Sequence, residues 1–192
     1  MGRIVVTEFV SLDGVMEAPG GGEDFTYAGW SFEIPRGEEG DAFKLAEAMA
    51  SDALLLGRRT YEGFAKAWPS RTGEFADKFN SMPKYVVSGT LRDPEWTNST
   101  VLEGDLAESV AELKRKHEGD IVVHGSAQLV QALIENDLVD ELRLMVFPIL
   151  LGTGKQVFGA TSDKKRLQLV DTKVVGDGVV ILTYAQPEDA SA

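Results

Sequence analysis

Three segments of the sequence place glycine beside small hydroxyl or basic residues, each directly after an apolar run. The segments are Gly57-Arg58-Arg59-Thr60, Ser88-Gly89-Thr90 and His124-Gly125-Ser126. Glycine leaves room for a ligand to approach the backbone, and backbone N–H groups at a helix start, together with arginines, favour phosphates. These residue types therefore support recognition of a phosphorylated ligand. The alternative is an ordinary strand-to-helix junction with solvated arginines.

Strands must position these three segments, and the sequence supplies them. The apolar runs are residues 53–56, 85–87 and 121–123, and helical patterns follow the first and the third segment. In an open parallel sheet the carboxyl ends of the strands lie at one edge, where ligands bind. Three donor-rich turns would then line one groove, which fits an extended ligand with several phosphates, such as a dinucleotide.

The rest of the chain continues this alternation of strands and helices. Strands are predicted at 3–10, 100–102, 167–175 and 179–185, and helices at 41–50, 73–80, 105–116 and 127–135. Gly176-Asp177-Gly178 marks a hairpin between the last two strands. This order predicts one α/β domain over 1–192, with three layers and a mainly parallel sheet that ends in an antiparallel C-terminal hairpin. A frayed tail is expected over 186–192.

One long segment, 15–40, shows no strand or helix pattern. It is rich in glycine and acidic residues but also carries four aromatic residues, Phe25, Tyr27, Trp30 and Phe32. Disordered linkers are poor in aromatics, so we expect a loop that folds over an apolar surface, with a loosely attached insertion as the alternative.

Composition limits the function. The chain has 192 residues, no cysteine and a formal net charge of −12, which excludes disulfides, thiolate chemistry and cysteine-bound metals. The negative field repels nucleic acid and anionic lipid, so neither is an expected partner and the adjacent Arg58 and Arg59 become more informative. Met1-Gly2-Arg3 runs directly into a strand without a charged-then-apolar leader, and no apolar run approaches membrane-spanning length. A cytoplasmic protein is therefore expected.

Motifs for other chemistries do not fit. No G-x-G-x-x-G follows the first strand, Gly154-Lys155 precedes glutamine rather than Ser or Thr, and no G-x-S-x-G occurs. His117 and His124 lie far apart and lack metal-ligand spacing, so a structural role is preferred for both and no metal site is predicted.

The segments together resemble the dihydrofolate-reductase-like family. Residues 57–62, Gly-Arg-Arg-Thr-Tyr-Glu, are similar to its Gly-Arg-x-Thr-aromatic-Glu element, and 122–126, Val-Val-His-Gly-Ser, to its Gly-Gly element. The opening Ser11-Leu12-Asp13-Gly14 is more similar to the C-terminal reductase domain of the bifunctional riboflavin-biosynthesis deaminase-reductase. The resemblance covers 3–185 and implies the dihydrofolate-reductase-like fold. Because the deaminase zinc ligands are absent, it implies a stand-alone reductase domain.

The resemblance also implies NADPH in the groove. Phosphates are assigned to Gly57, Arg58, Arg59 and Thr60, and the pyrophosphate to Gly125, Ser126, Ala127 and Gln128. The adenosine end with its 2′-phosphate is assigned to Ser88, Gly89 and Thr90. A mobile loop beside the nicotinamide is assigned to Asp13 and Gly14. The sequence departs from the family at Ser126, where a second glycine is usual. Backbone approach is tighter there, although the hydroxyl can itself donate.

The proton donor for a reduction is less well defined by the sequence. Ungapped counting back from Gly57 places Asp41 where dihydrofolate reductases carry their substrate-binding carboxylate, at the start of the first helix. Glu38 and Glu39 are nearby alternatives, and Asp13 is a second candidate in the loop. A surface acid that suits the helix dipole is the other interpretation of Asp41.

The resulting hypothesis is an NADPH-dependent reductase of a small heteroaromatic or carbonyl compound, of the pteridine or ribosylated aminopyrimidine class. The alternative is a non-catalytic nucleotide-binding or scaffold domain of the same fold. A homodimer through the C-terminal sheet edge is also expected, because 138–150 and the hairpin are too apolar for an exposed edge and riboflavin-type reductase domains are dimeric. Coverage of both sheet faces by the chain's own helices, as in monomeric dihydrofolate reductases, is the alternative.

Overall fold

A computed structural model gives the architecture of residues 1–187, to which the structural statements below refer. Eight strands form one sheet: β1 (Arg3–Ser11), β2 (Ser51–Gly57), β3 (Lys84–Val87), β4 (Ser99–Leu102), β5 (Asp120–Val123), β6 (Glu141–Phe147), β7 (Gln168–Val175) and β8 (Val179–Ala185). Their order across the sheet is β4-β3-β2-β5-β1-β6-β8-β7. The pairings from β4 to β6 are parallel, whereas β8 pairs antiparallel with β6 and β7. The predicted fold class, including the antiparallel C-terminal hairpin, is confirmed.

Helices cover both faces of the sheet. They are α1 (Gly37–Ala50), α2 (Arg58–Ala67), α3 (Glu74–Ser81), α4 (Leu106–Lys116) and α5 (Ala127–Glu135). The first three pack on the face that carries Val5 of β1, and α4 and α5 pack on the face that carries Ile4 and Val6. Because successive side chains of a strand point to opposite faces, the continuous apolar run of β1 fills both cores.

The first helix begins four residues before the predicted start at Asp41. Its first turn holds Glu38 and Glu39, which suit the positive end of the helix dipole but give no apolar periodicity. The expectation that Asp41 begins this helix was therefore wrong. Asp41 is the fifth residue of α1.

The long connection between β1 and α1 packs onto the sheet. Trp30, in a short 3₁₀ helix (Trp30–Glu33), is completely buried. Its indole N–H donates to the Glu17 carbonyl over 2.8 Å, and its ring meets Phe147 of β6 edge to face at 5.5 Å. The expected loop over an apolar surface is confirmed, and that surface is the β6–β8 part of the sheet.

The dimer expectation took residues 138–150 as part of the C-terminal edge of the sheet, and the strand order shows that this premise was wrong. Residues 138–150 contain β6, which lies between β1 and β8 and is not at an edge. The free edge on this side is β7. Of the tail expected at 186–192, Gln186 donates to the carbonyls of Asp137 and Val139, and residues 188–192 lie outside the described residues.

Candidate functional site

The turns that follow β2 and β5 meet at the carboxyl edge of the sheet. The Gly57 N–H donates to the Ser126 hydroxyl oxygen over 2.8 Å. A Cβ at Gly57 would stand 3.2 Å from the same oxygen, so the contact leaves little room for a side chain. The start of α2 therefore lies against the start of α5, and the unpaired N–H groups of both helix ends face one region.

The backbone of the second turn is held in an uncommon conformation. Gly125 and Ser126 have φ angles of 62° and 66°, which is the left-handed region. Serine is uncommon there, and such residues concentrate at functional sites. A Cβ at Gly125 would come within 3.0 Å of the Thr60 side chain. Glycine is thus required where α2 and this turn touch.

The two predicted phosphate-binding arginines differ in their surroundings. Arg58 forms an exposed ion pair with Glu62 over 3.0 Å. Arg59 forms no side-chain hydrogen bond or ion pair with the described residues. Burial opposes ionisation of Glu17, yet hydrogen bonds and charge from Lys155, with the charge of Arg59, hold the pKa of its carboxyl below its ordinary value. Arg59 therefore lies near the segment that follows β1, with its guanidinium available.

The remaining predicted cofactor residues line the same edge. The Ser88 hydroxyl accepts from the N–H groups of Thr90 and Leu91, at 3.1 and 2.9 Å, which closes a tight turn directly after β3. Gly89 and Thr90 are exposed on this turn. Ala127 and Gln128 are the first two residues of α5. The structure thus brings the turns after three adjacent strands to one edge of the sheet, whereas their role in binding stays a prediction.

Asp13 fastens its loop to a distant segment. Its carboxylate accepts from the Ser11 hydroxyl at 2.6 Å and from the N–H groups of Leu151 and Gly152 at 3.1 and 2.7 Å. The hydrogen bond from Ser11, followed by that from Gly152, lowers the pKa of Asp13. The Gly14 carbonyl also accepts from Val157 N–H. The loop predicted to be mobile is therefore tied to residues 149–157 at several points.

Asp41 lies at the surface. Its carboxylate accepts from Arg36 over 2.6 Å, and its side chain is 67% exposed. The Arg36 guanidinium in turn lies 5.0 Å from the centre of the Phe9 ring on β1. Of the nearby acids, Glu39 lies 3.9 Å from Lys173 of β7. Proton transfer by Asp41 or Asp13 stays a prediction.

Sequence reasoning missed a buried ionic cluster between β1 and α1. Lys44 donates to the Thr7 hydroxyl over 2.8 Å and pairs with Glu47, to which Thr7 also donates over 3.0 Å. Arg143 of β6 reaches the other Glu47 oxygen over 3.3 Å. Burial alone would raise the pKa of Glu47, but the charge of Lys44 holds it below its ordinary value. The sequence signal for this cluster was that Lys44 and Glu47, three residues apart, both fall on the inward face of α1.

Two further residues beside Gly125 carry buried atoms without a partner. Oε1 of Glu8 and Nε2 of His124 are two of the three buried side-chain atoms in the described part of the chain that lack a hydrogen bond. Burial raises the pKa of Glu8 well above its ordinary value and lowers the pKa of His124 to about 3. Buried groups with displaced pKa values concentrate at functional sites. The sequence signal for Glu8 was its position as a polar residue within the mostly apolar strand β1.

Within residues 1–187, no group of three or more histidine or acidic side chains is arranged to hold a metal ion, and none of the helices described there is long and apolar enough to cross a membrane. A surface cavity of about 750 Å³ lies between α2 and residues 91–97, with Tyr61 and Trp96 in its wall. It includes none of the predicted cofactor residues.

The strand order, the helices on both faces and the antiparallel hairpin are those of the dihydrofolate-reductase-like fold. The chain belongs to the family described as the RibD C-terminal domain, whose model matches residues 3–181.

The chain is also similar to individual known proteins and solved structures. The chain is 29% identical over 187 residues to the uncharacterised protein YyaP of Bacillus subtilis strain 168, with 95% of this chain and 94% of YyaP covered. A putative riboflavin biosynthesis protein from Shewanella sp. PV-4 has a similar crystal structure, with a TM-score of 0.78, 24% identity and coverage of 97% and 99%. RibD of Acinetobacter baumannii superposes with a TM-score of 0.66 and 17% identity, over 98% of this chain and 59% of that one.

Proposed function

We propose that this protein is an NADPH-dependent reductase of a small heteroaromatic or carbonyl compound, of the pteridine or ribosylated aminopyrimidine class. The observation that carries the proposal is the contact between the starts of α2 and α5, where Gly57 bonds to Ser126 and Gly125 lies against Thr60. Membership in the RibD C-terminal domain family supports a reductase role. The substrate class comes from the family resemblance.

The residues at this edge fit a dinucleotide phosphate. Gly57 and Gly125 let the starts of α2 and α5 approach each other closely, and the first N–H groups of α5 have no partner within the helix. Arg59 would supply a guanidinium to a phosphate, and the exposed Thr90 would face the adenosine end. When bound, NADPH supplies a hydride, and the fold orients its reactive ring.

A reduction of a C=N or C=O bond also consumes a proton. Lys44 lies beside the middle of β1, with its Nζ on Thr7 and Glu47. Together with Asp13, Asp41 and water, it is a candidate source of that proton. Thr7 and Glu47 would hold the ammonium in one position during transfer.

Titration of the purified protein with NADPH and NADH, followed by nicotinamide fluorescence, tests the cofactor. We expect saturable binding, with NADPH preferred because the family resemblance assigns the Ser88–Thr90 turn to the 2′-phosphate. Absence of binding of either cofactor in the millimolar range would rule out the proposal.

Turnover is tested separately by following NADPH consumption with pterins, ribosylated aminopyrimidines and quinones. Oxidation of NADPH that depends on one of these compounds is the expected result. Tight NADPH binding without hydride transfer to any of them would instead favour the non-catalytic nucleotide-binding alternative.

A further inference from the structure

Glu8 joins the centre of the sheet to the Gly125–Ser126 turn. It lies on β1 and is 5% exposed. Its Oε2 accepts from the Gly125 N–H over 2.9 Å, and its Oε1 has no partner within the described chain. The Gly125 N–H is therefore already bonded to the Glu8 side chain. The next N–H groups, at the start of α5, remain for a ligand.

The surroundings of Glu8 disfavour a negative charge. Burial is the main influence and raises the pKa of its carboxyl, while the Gly125 amide and the charge of Lys44 act in the opposite direction and Glu47 adds to the increase. Opposite Glu8 on β6 stands Leu144. Helix α5 carries one charged residue, Glu135, in its last turn. The Glu8 carboxyl is thus largely enclosed by apolar groups and backbone.

We propose that Glu8 is a positioning residue of the cofactor turn and that its neutral form is the one that admits a pyrophosphate there. The inference rests on the proposed function, because it takes the Gly125–Ser126 turn as the pyrophosphate site. A neutral carboxyl accepts a hydrogen bond from the Gly125 N–H and holds the left-handed turn in place without adding a negative charge. An ionised carboxylate would place a full negative charge directly beneath the site where a second anion binds.

The physical consequence is a proton-linked affinity. Charges in a poorly solvated interior repel each other far more strongly than charges in water. Ionisation of Glu8, as the pH rises through its raised pKa, therefore weakens the binding of a dianionic pyrophosphate, whereas the conformation of the turn is held in both states by the same N–H donor. The coupling is reciprocal, so bound NADPH keeps Glu8 protonated to higher pH.

The test compares the wild-type protein with Glu8→Gln, which has the same shape and stays neutral. We expect wild-type affinity for NADPH to fall roughly tenfold or more as the pH rises through the raised pKa of Glu8, and the Glu8→Gln variant to keep its affinity over the same range. Glu112→Gln, on the exposed face of α4, removes the same charge far from the turn and should follow the wild type. Identical pH profiles for wild type and Glu8→Gln would overturn the proposal.

Two readouts remain available without NADPH binding. The amide resonance of Gly125 in the wild-type protein should shift with a single titration above pH 4.5 that the Glu8→Gln variant lacks. Because the folded pKa of Glu8 lies above the unfolded value of 4.5, wild type should also lose stability relative to Glu8→Gln as the pH rises above 4.5, until the folded pKa is reached. A Gly125 resonance that does not titrate would overturn the proposal. If the Gly125 resonance titrates but the protein does not bind NADPH, the result would count against the proposed function and not against the role of Glu8 in holding the turn.

Discussion

Arg58 and Arg59 are adjacent in sequence but differ in what their side chains contact. Arg58 is paired with Glu62, whereas Arg59 lies near Glu17 with its guanidinium available. We expect Arg59→Ala to weaken NADPH binding by roughly 1.5–3 kcal/mol, the usual size of a charge-assisted hydrogen bond, with little change in Tm. Fluorescence titration measures this effect. The control is Arg115→Ala, which removes an exposed arginine on α4. Equal NADPH affinity in the two variants would show that Arg59 is a solvated surface residue without a role in binding.

His124 gives a prediction for acid stability. Its pKa is 6.5 in the unfolded chain and about 3 in the folded one, because burial disfavours the imidazolium. The unfolded state then binds one more proton between these values, so stability falls as the pH drops from 6.5 toward 3. We expect this residue to account for roughly 3–5 kcal/mol of the loss.

Urea unfolding at a series of pH values, for wild type and His124→Gln, isolates this contribution. The variant should lose less stability on acidification than the wild type. Parallel pH profiles of the two proteins would show that His124 is not held neutral by the fold.

At the scale of elements, the buried pair between α1 and β1 should behave unlike the surface pairs. Lys44 and Glu47 are each 6% exposed. Glu47→Gln leaves the buried Lys44 ammonium without its carboxylate, and Lys44→Met leaves Glu47 with the longer contact to Arg143, so we expect either change alone to cost roughly 3–5 kcal/mol of unfolding free energy. The double variant should cost clearly less than the sum of the two.

A double-mutant cycle in urea measures the coupling between these two residues. Arg58 and Glu62, on α2, provide the control, since an exposed pair four residues apart typically couples by about 0.3–0.5 kcal/mol. A coupling of that small size for Lys44 and Glu47 would contradict the buried cluster.

Local signals explain what the sequence could and could not predict. The strand-to-helix junction at Gly57 and the hairpin at 176–178 depend on neighbouring residues, and both were predicted. The bonds between Thr7 and Glu47, and between Glu8 and Gly125, join residues 40 and 117 positions apart. The packing of α1 on β1 brings the first pair together, and the pairing of β1 with β5 brings the second pair together. For the same reason the segment 138–150 was misinterpreted as an edge, because strand order is not encoded in a local pattern.

At the scale of the whole molecule, β7 is the edge strand that a second copy would cover. Seven of its eight residues are exposed, among them Val170 and Val174 at 53% and 66%. Antiparallel pairing of two β7 strands about Thr172 would set Asp171 of each copy opposite Lys173 of the other. Opposite charges on facing positions support such a register. Two-fold dimers are the commonest oligomers, and this one would cover the exposed edge.

Light scattering after size exclusion tests this dimer. We expect a mass near twice the 20.8 kDa of one chain for the wild type. Lys173→Asp should shift the protein toward monomer, because it sets acids opposite each other, and the exchange Asp171→Lys with Lys173→Asp should restore the dimer. A wild-type mass near 20.8 kDa at micromolar concentration would refute the assembly.

The central claim is that NADPH binds where the turns after β2 and β5 meet. It is tested most directly by an NMR titration of protein labelled at its 20 glycines. The amide resonances of Gly57 and Gly125 should shift first and saturate together with the fluorescence signal, while Gly2 and Gly119, which precede β1 and β5 at the opposite edge of the sheet, should not move. Resonances of Gly57 and Gly125 that stay unchanged at saturating NADPH would contradict the account.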